Sequence, residues 1–124
     1  MLTNSEEQMM QLLWEHNKPL TATEIIGLSK DKTWKDSYVH LLISSLIKKG
    51  IIEVKGFTKT TKNYARTFAP SMTWEEYAVN RIKSAKNYSK ENIPALFTCL
   101  VTDADEQIFD QLQEIIDNKR KSLA

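Results

Sequence analysis

The chain has 124 residues, of which 41% are hydrophobic and 27% charged, and its formal net charge is +1. This composition excludes global disorder and predicts one folded unit, or a small domain with an oligomerisation element. No apolar run approaches the ~20 residues that span a bilayer, and the start lacks a signal-peptide pattern. The single Cys99 excludes an intrachain disulfide. The sequence therefore favours a soluble, cytoplasmic protein with no membrane partner.

Charge is unevenly distributed along the chain. Residues 1–70 carry a net charge of +3, whereas residues 71–124 carry −2. Within 48–66, six basic residues stand against one acidic residue. A basic segment of this kind favours a nucleic-acid partner, although Lys-rich hairpins are also common as plain solvated surface.

Capping-box patterns predict the starts of the first two helices. Residues 3–6 (TNSE) open a helix that ends before Pro19, and residues 21–24 (TATE) open a shorter one. Trp14 could stack on a ligand, but an aromatic residue at helical spacing beside Leu and Met favours the core.

A third, longer helix is predicted between Thr33 and Gly50. Its apolar residues recur at helical steps and form a core-facing stripe: Val39, Leu42, Ile43, Leu46 and Ile47. The opposite face, which includes Ser45, has mostly short or hydrogen-bonding side chains, where a solvated helix would carry Glu and Lys pairs. This face is therefore predicted to lie against DNA, with the candidate contacts Lys35, Ser37, Tyr38, His40, Leu41 and Ser44. Trp34 is predicted to pack, and His40 is open to either a DNA contact or ordinary exposure.

A β-hairpin is predicted after this helix, with strands over 51–57 and 63–68 and a polar tip over 58–62. The order helix–helix–helix–strand–strand is that of a winged helix-turn-helix. In that fold the third helix enters the major groove, and the hairpin, or wing, touches the backbone or minor groove. The predicted wing contacts are Lys59, Thr60, Lys62 and Arg66.

Three further helices are predicted after Pro70, and a capping-box pattern over 73–76 (TWEE) opens the first of them. They include a segment over 93–101 that is apolar nearly all round, together with two separate apolar stripes. Three helices cannot bury all of this among themselves, so a second copy of the chain is predicted to cover it. The predicted dimer interface comprises Trp74, Tyr77, Ile82, Leu96, Phe97, Leu100, Ile108, Leu112, Ile115 and Ile116.

The predicted fold class is therefore mainly α with a small β-hairpin. A winged helix-turn-helix DNA-binding domain over 1–70 is followed by a three-helix C-terminal dimerisation region over 71–124.

Five segments carry a family resemblance: 12–14 (LLW), 20–25 (LTATEI), 46–52 (LIKKGII), 56–67 (GFTKTTKNYART) and 75–77 (EEY). By their order and spacing, the chain resembles the penicillinase-repressor family (BlaI, MecI and CopY type) of bacterial winged-helix repressors. The resemblance covers nearly the whole chain. It implies a homodimeric repressor of a palindromic double-stranded DNA operator, and a sensor or protease partner that relieves repression.

The chain also departs from that family. Near the start of the third helix, where members usually carry basic side chains, it has Ser37, Tyr38, His40 and Leu41, so a bidentate Arg–guanine contact is not available there. The Cys-x-Cys metal site of the copper-responsive branch is missing. Residues 97–100 (FTCL) stand where the β-lactam-responsive branch has a cleavable Asn-Phe bond. Neither inducer mechanism transfers to this chain.

Three further predictions concern catalysis, Cys99 and an alternative function. No phosphate-binding loop, nucleophile elbow or paired Cys/His spacing is present, so no catalysis, cofactor or metal is predicted. Cys99 is predicted to be a small buried hydrophobe rather than a redox switch. The alternative function is a winged-helix protein-interaction module that does not read DNA, in which exposed Tyr38 and Leu41 dock on a protein.

Overall fold

The structure, a computed structural model, describes residues 1–124 and contains six α-helices and three strands. The helices are α1 (Asn4–Glu15), α2 (Ala22–Leu28), α3 (Val39–Lys48), α4 (Trp74–Lys83), α5 (Ile93–Leu100) and α6 (Glu106–Leu123). The strands are β1 (Leu20–Thr21), β2 (Ile52–Lys59) and β3 (Tyr64–Pro70). The predicted fold class is confirmed, since three helices and a hairpin are followed by three more helices. None of the helices combines the length and apolarity needed to cross a membrane.

The sheet has one strand more than the predicted hairpin. Its order is β1-β3-β2, with both pairs antiparallel, and β1 pairs Leu20 with Phe68 and Thr21 with Thr67. A two-residue strand has no alternation that a sequence could display, which is why β1 was not predicted. The hairpin strands contain a bulge between Val54 and Gly56, beyond which they pair regularly to the tip.

The chain divides into two compact units, Met1–Arg81 and Ile82–Ala124. The break between these units falls near the end of α4. The reason is that the Trp14 indole N–H donates to the Met72 carbonyl at 3.0 Å, and its ring lies 5.4 Å from the Tyr77 ring. These contacts attach the start of α4 to α1.

The first unit contains a continuous hydrophobic core drawn from all three of its first helices and the sheet. The core comprises Leu2, Met9, Met10, Leu13, Leu20, Ile25, Trp34, Val39, Ile43, Leu46, Ile51, Ile52 and Phe68. Trp34 is only 5% exposed, as predicted for a packing residue. Trp14 is half-buried against this core, whereas Ile47 of the predicted stripe is 37% exposed and lies at its edge.

The capping boxes predicted for α1, α2 and α4 are present. In each, a Thr hydroxyl accepts the N–H of a Glu three residues on, and that Glu accepts the Thr N–H: Thr3 with Glu6, Thr21 with Glu24, and Thr73 with Glu76. The predicted start of the third helix at Thr33 is wrong. The Thr33 N–H and hydroxyl instead donate to the Gln8 side-chain oxygen at 3.1 and 3.2 Å, and a 3₁₀ turn over Asp36–Tyr38 leads into α3.

The second unit contains the end of α4, a 3₁₀ turn over Lys90–Asn92, α5 and α6. Asp105 caps α6 by accepting the Ile108 N–H at 3.0 Å. No residue of this unit is fully buried. The prediction that Cys99 is buried is wrong, because Cys99 lies in this unit without fully buried residues and is itself exposed.

Candidate nucleic-acid interface

The outward face of α3 is defined by the residues that the helix buries. Val39, Ile43 and Leu46 face the core, so the positions between them point away from it. All six predicted contacts of this region are exposed, with Tyr38 at 48% and Leu41 at 67%. This exposure makes the face available to a partner.

One basic residue extends this face beyond the predicted contacts. Leu41, Ser44 and Lys48 follow one another at steps of three and four residues, so they lie along one line of the helix. Lys48 is exposed and places a positive charge at the C-terminal end of that line. Grouping the sequence by helix face, instead of assigning Lys48 to the helix end, would have found it.

The N-terminal end of the face is fixed by an ion pair. Lys32 lies 2.9 Å from the Asp36 carboxylate, and its ammonium also lies 5.4 Å from the centre of the Trp34 ring. Asp36 begins the 3₁₀ turn, where its carboxylate interacts favourably with the positive N-terminal end of the following helix. Lys35, one residue earlier, is exposed.

Ser45 does not belong to the outward face, contrary to the prediction. It is half-buried, and its hydroxyl donates to Glu6 Oε2 at 2.7 Å. The Lys49 ammonium donates to Glu6 Oε1 at 2.6 Å and to the Met1 carbonyl at 2.9 Å. The Lys49 ammonium is therefore engaged by groups of its own chain, although Lys49 is one of the six basic residues from which a nucleic-acid partner was predicted.

Glu6 is only 1% exposed, and its ionisation depends on these partners. Burial by itself would raise the pKa of the Glu6 carboxyl. The hydrogen bonds from Lys49, the Thr3 backbone and Ser45 outweigh burial and lower its pKa from 4.5 to about 2. The carboxylate is thus charged across the physiological range, and it fixes the last turn of α3 to the first turn of α1.

The wing keeps most of its positive charge exposed. Lys59, Lys62 and Arg66 are all exposed, and the Arg66 guanidinium lies 5.4 Å from the centre of the Phe68 ring. Lys55 lies 3.0 Å from Glu53, which offsets its charge. The unpaired positive charge is therefore concentrated toward the tip of the hairpin.

Thr60 has a structural role at that tip. Its N–H and hydroxyl both donate to the Asn63 carbonyl, at 2.6 and 2.7 Å, and its hydroxyl accepts the Asn63 N–H at 3.1 Å. These bonds close the turn that presents Lys62. Thr60 was predicted as a DNA contact, and its side chain is already engaged in the turn.

The predicted dimer residues fall into two groups. Trp74 and Tyr77 belong to the first unit; Trp74 is 56% exposed, and Tyr77 is half-buried against Trp14 of its own chain. Most of the other eight, in the second unit, are exposed, with Leu100 at 77% and Ile115 at 62%. Only Leu96 and Leu112 of these eight are half-buried: the unit's own packing covers little of the apolar surface.

Three helices on a small antiparallel sheet, an outward face on α3 and a basic hairpin define a winged-helix DNA-binding protein. A sequence model of the penicillinase repressor family matches residues 2–118. The chain belongs to this family, as the sequence resemblance predicted. It is a DNA-binding transcriptional repressor of the winged-helix class. The family match favours this function over that of a protein-interaction module.

The chain is also similar to several solved structures. A MepR variant from a multidrug-resistant S. aureus clinical isolate has 18% identity and a TM-score of 0.48, with 99% of this chain and 80% of that one covered. AdcR, the adhesin competence repressor of Streptococcus pyogenes, has 17% identity and a TM-score of 0.45, with 98% and 80% covered. Bacillus subtilis PadR in complex with operator DNA has 14% identity and a TM-score of 0.49, with 94% and 70% covered. No curated protein matches the chain. At these identities and scores, the assignment rests on the family match.

Proposed function

We propose that the chain is a cytoplasmic, homodimeric repressor that binds a palindromic operator on double-stranded DNA. Residues 1–70 bind DNA, with α3 in the major groove and the wing on the backbone or minor groove. Residues 71–124 form the dimer. The observation that carries this proposal is the exposed outward face of α3, combined with exposed Lys59, Lys62 and Arg66 on the wing.

The wing supplies affinity without sequence preference. Each phosphate that Lys59, Lys62 or Arg66 neutralises releases counterions, which makes binding stronger at low salt. Lys35 and Lys48 are exposed at the two ends of the outward face, and we assign them contacts with phosphates beside the major groove. Phosphate contacts fix the register of the protein on the duplex, and the bases are read by other side chains.

Sequence reading is assigned to the N-terminal part of the outward face. Recognition helices contact base edges mainly with their first turns, which places Ser37 and Tyr38 first and His40 and Ser44 next. Hydroxyl and imidazole groups bond to several bases, so discrimination also depends on bridging water and on DNA shape. The exposed Leu41 side chain suits apolar contact with a thymine methyl group.

The case for a dimer rests on the second unit. An apolar surface that includes Leu100, Phe97, Ile108 and Ile115 remains exposed, while no residue of the unit is fully buried. Helices with this pattern gain free energy when the apolar faces leave water, at about 25 cal/mol per Å². A second copy provides the same surface around a two-fold axis and matches a palindromic operator.

The partner that relieves repression is proposed to be a sensor or a protease, as the family resemblance implies. This chain carries no Cys-x-Cys pair, and the family's cleavable Asn-Phe bond is missing.

Footprinting on DNA upstream of the chain's own gene tests the proposal. We expect salt-sensitive protection of two symmetric half-sites about one or two turns apart, ~10–10.5 bp per turn. A Ser37→Ala, Tyr38→Ala variant should shift sequence preference. A Thr23→Ala variant, which alters an exposed position of α2, should not. Absence of protection on every promoter fragment at low salt would contradict the proposal.

A further inference from the structure

Two aromatic side chains on the wing remain unexplained by the contacts assigned above. Phe57 on β2 and Tyr64 on β3 are each 67% exposed. Neither ring belongs to the hydrophobic core or packs against it. Large aromatic rings left in water on a short hairpin point to a surface that binds something.

The strand register places both rings beside the basic residues of the wing. Phe57 lies directly opposite Arg66, and Lys59 lies directly opposite Tyr64. Because side chains two apart on a strand share a face, these four residues occupy one face of the hairpin, with the rings on one diagonal and the cations on the other. We call Phe57, Lys59, Tyr64 and Arg66 the aromatic-basic face. Thr58 and Ala65, which also pair with each other, occupy the opposite face.

The aromatic-basic face continues a buried part of the sheet. Phe68, two residues beyond Arg66 on the same side of β3, is 3% exposed and belongs to the core. The Arg66 guanidinium leans back over the Phe68 ring at 5.4 Å. The face thus starts from a fixed base and extends outward toward the tip, where the closed Thr60–Asn63 turn holds the two strands together.

We propose that Phe57 and Tyr64 contact DNA, packing their rings against the deoxyribose walls of the minor groove while Lys59 and Arg66 bind the flanking phosphates. This inference rests on the proposed function, in which the wing meets DNA. On this face each ring lies beside a cation, so apolar and positively charged groups are available together for sugars and phosphates. A protein partner would have to offer acidic groups at both cations, whereas every stretch of DNA offers them.

The two kinds of contact have different salt dependence. Phosphate contacts release counterions, so they set the slope of log affinity against log salt concentration. Ring-to-sugar contacts release water but no ions, so they contribute equally at all salt concentrations. The rings therefore add affinity that persists in high salt, and they sense groove width, which varies with A·T content.

The test compares matched variants on a defined operator fragment by fluorescence anisotropy over a range of salt concentrations. The double variant Phe57→Thr, Tyr64→Thr keeps a high strand preference at both positions. We expect its affinity to fall about tenfold at every salt concentration with the slope unchanged. Thr58→Ser on the opposite face should bind like wild type, and Lys59→Ala should flatten the slope. Circular dichroism checks that each variant is folded.

Two further measurements separate the inference from its rivals. Tyr64→Phe should keep wild-type affinity; a loss as large as that of Tyr64→Thr would assign the contact to the hydroxyl and overturn ring packing. Hydroxyl-radical footprinting should show that the double variant loses protection of sugars under the wing and keeps it under α3. If the double variant keeps wild-type affinity and the wild-type footprint, the rings do not contact DNA and the inference is overturned. This holds also if the variant loses only the binding of a protein partner. If wild type itself binds no DNA, the proposed function fails instead.

Discussion

The Lys49 ammonium lies 2.6 Å from the Glu6 carboxylate and joins the residue that follows α3 to the first turn of α1. Ser45 and the Thr3 N–H also donate to this carboxylate, at 2.7 and 2.8 Å. Ser45 is one turn before Lys49, so two residues on one side of α3 are fixed to the same group. This network sets the position of the proposed reading helix relative to the rest of the first unit.

Removing the cation from this network should destabilise the first unit. Lys49→Met leaves the nearly buried Glu6 charge without its ion-pair partner, and we expect the free energy of unfolding to fall by about 3 kcal/mol. Glu6→Gln should lower it by less, about 1–2 kcal/mol, because the Lys49 side chain is 34% exposed and can regain water. Urea unfolding at neutral pH measures both. The matched control is Lys48→Met, which should stay within about 0.5 kcal/mol of wild type; equal losses in Lys48→Met and Lys49→Met would contradict the network.

The same network predicts an acid-dependent loss of stability. Because the pKa of Glu6 is lowered from 4.5 to about 2 in the folded chain, the unfolded chain binds more protons between those values. The contribution is complete above pH 4.5 and is lost as pH falls to about 2. It amounts to about 3 kcal/mol at ~1.4 kcal/mol per pKa unit. Unfolding free energies from pH 6 to about pH 2.5 should therefore fall more steeply for wild type than for Glu6→Gln. Parallel curves would show that Glu6 is not the responsible group.

The attachment of α4 to α1 can be tested at Trp14. Trp14→Phe keeps most of the ring contact with Tyr77 but removes the donor to the Met72 carbonyl. We expect a loss of about 1–2 kcal/mol in the free energy of unfolding. Trp74→Phe is the control, since Trp74 is 56% exposed and the change should have little effect. A larger loss of unfolding free energy for Trp74→Phe than for Trp14→Phe would contradict the role of Trp14 in attaching α4 to α1.

The wing lysines should affect salt dependence more than sequence preference. Lys59→Ala and Lys62→Ala should each weaken binding to all DNA sequences and reduce the slope of log affinity against log salt by about one. Lys55→Ala is the internal comparison, because Lys55 is paired with Glu53 at 3.0 Å and should change the slope less. Slopes equal to that of wild type in both Lys59→Ala and Lys62→Ala would remove the wing from the DNA contact.

The dimer should depend on the apolar side of the second unit. Ile115→Asp places a charge at a residue that is 62% exposed in the single chain, and we expect it to produce a monomer because burying that charge is unfavourable. Gln107→Asp adds the same charge on the polar side of α6 and should leave the dimer intact. Sedimentation velocity at several concentrations distinguishes the two. A wild-type chain that sediments as a monomer at all concentrations would contradict the proposed interface.

Local sequence patterns predicted much of the fold, and long-range contacts account for most of what was missed. The capping boxes at Thr3, Thr21 and Thr73 depend on residues three apart, and the hairpin follows from strand-forming runs around a polar tip, so both were visible. The Glu6–Lys49 pair joins groups far apart in sequence. It was missed because Glu6 was already explained by the capping box and Lys49 by the basic segment over 48–66. β1 exists only because β3 pairs with it.

The candidate site was predictable to a similar extent. Exposure of the six predicted contacts between Lys35 and Ser44 followed from the apolar pattern of the helix, because that pattern separates core from surface. Periodicity placed Ser45 on the wrong side, since a small polar side chain at the edge of a helix face can turn to either side. The aromatic-basic face was hidden because it depends on register: Phe57 and Arg66 face the same way only once the strands are paired.

The stoichiometry and symmetry of DNA binding test the central claim most directly. DNA selected from a random pool by the wild-type chain should contain an inverted repeat, and titration at concentrations well above the Kd should saturate at two chains per repeat. A single half-site should bind at least about 100-fold more weakly, because only one subunit then contacts bases. Selection of an asymmetric site, saturation at one chain, or equal affinity for the half-site would contradict a two-fold repressor.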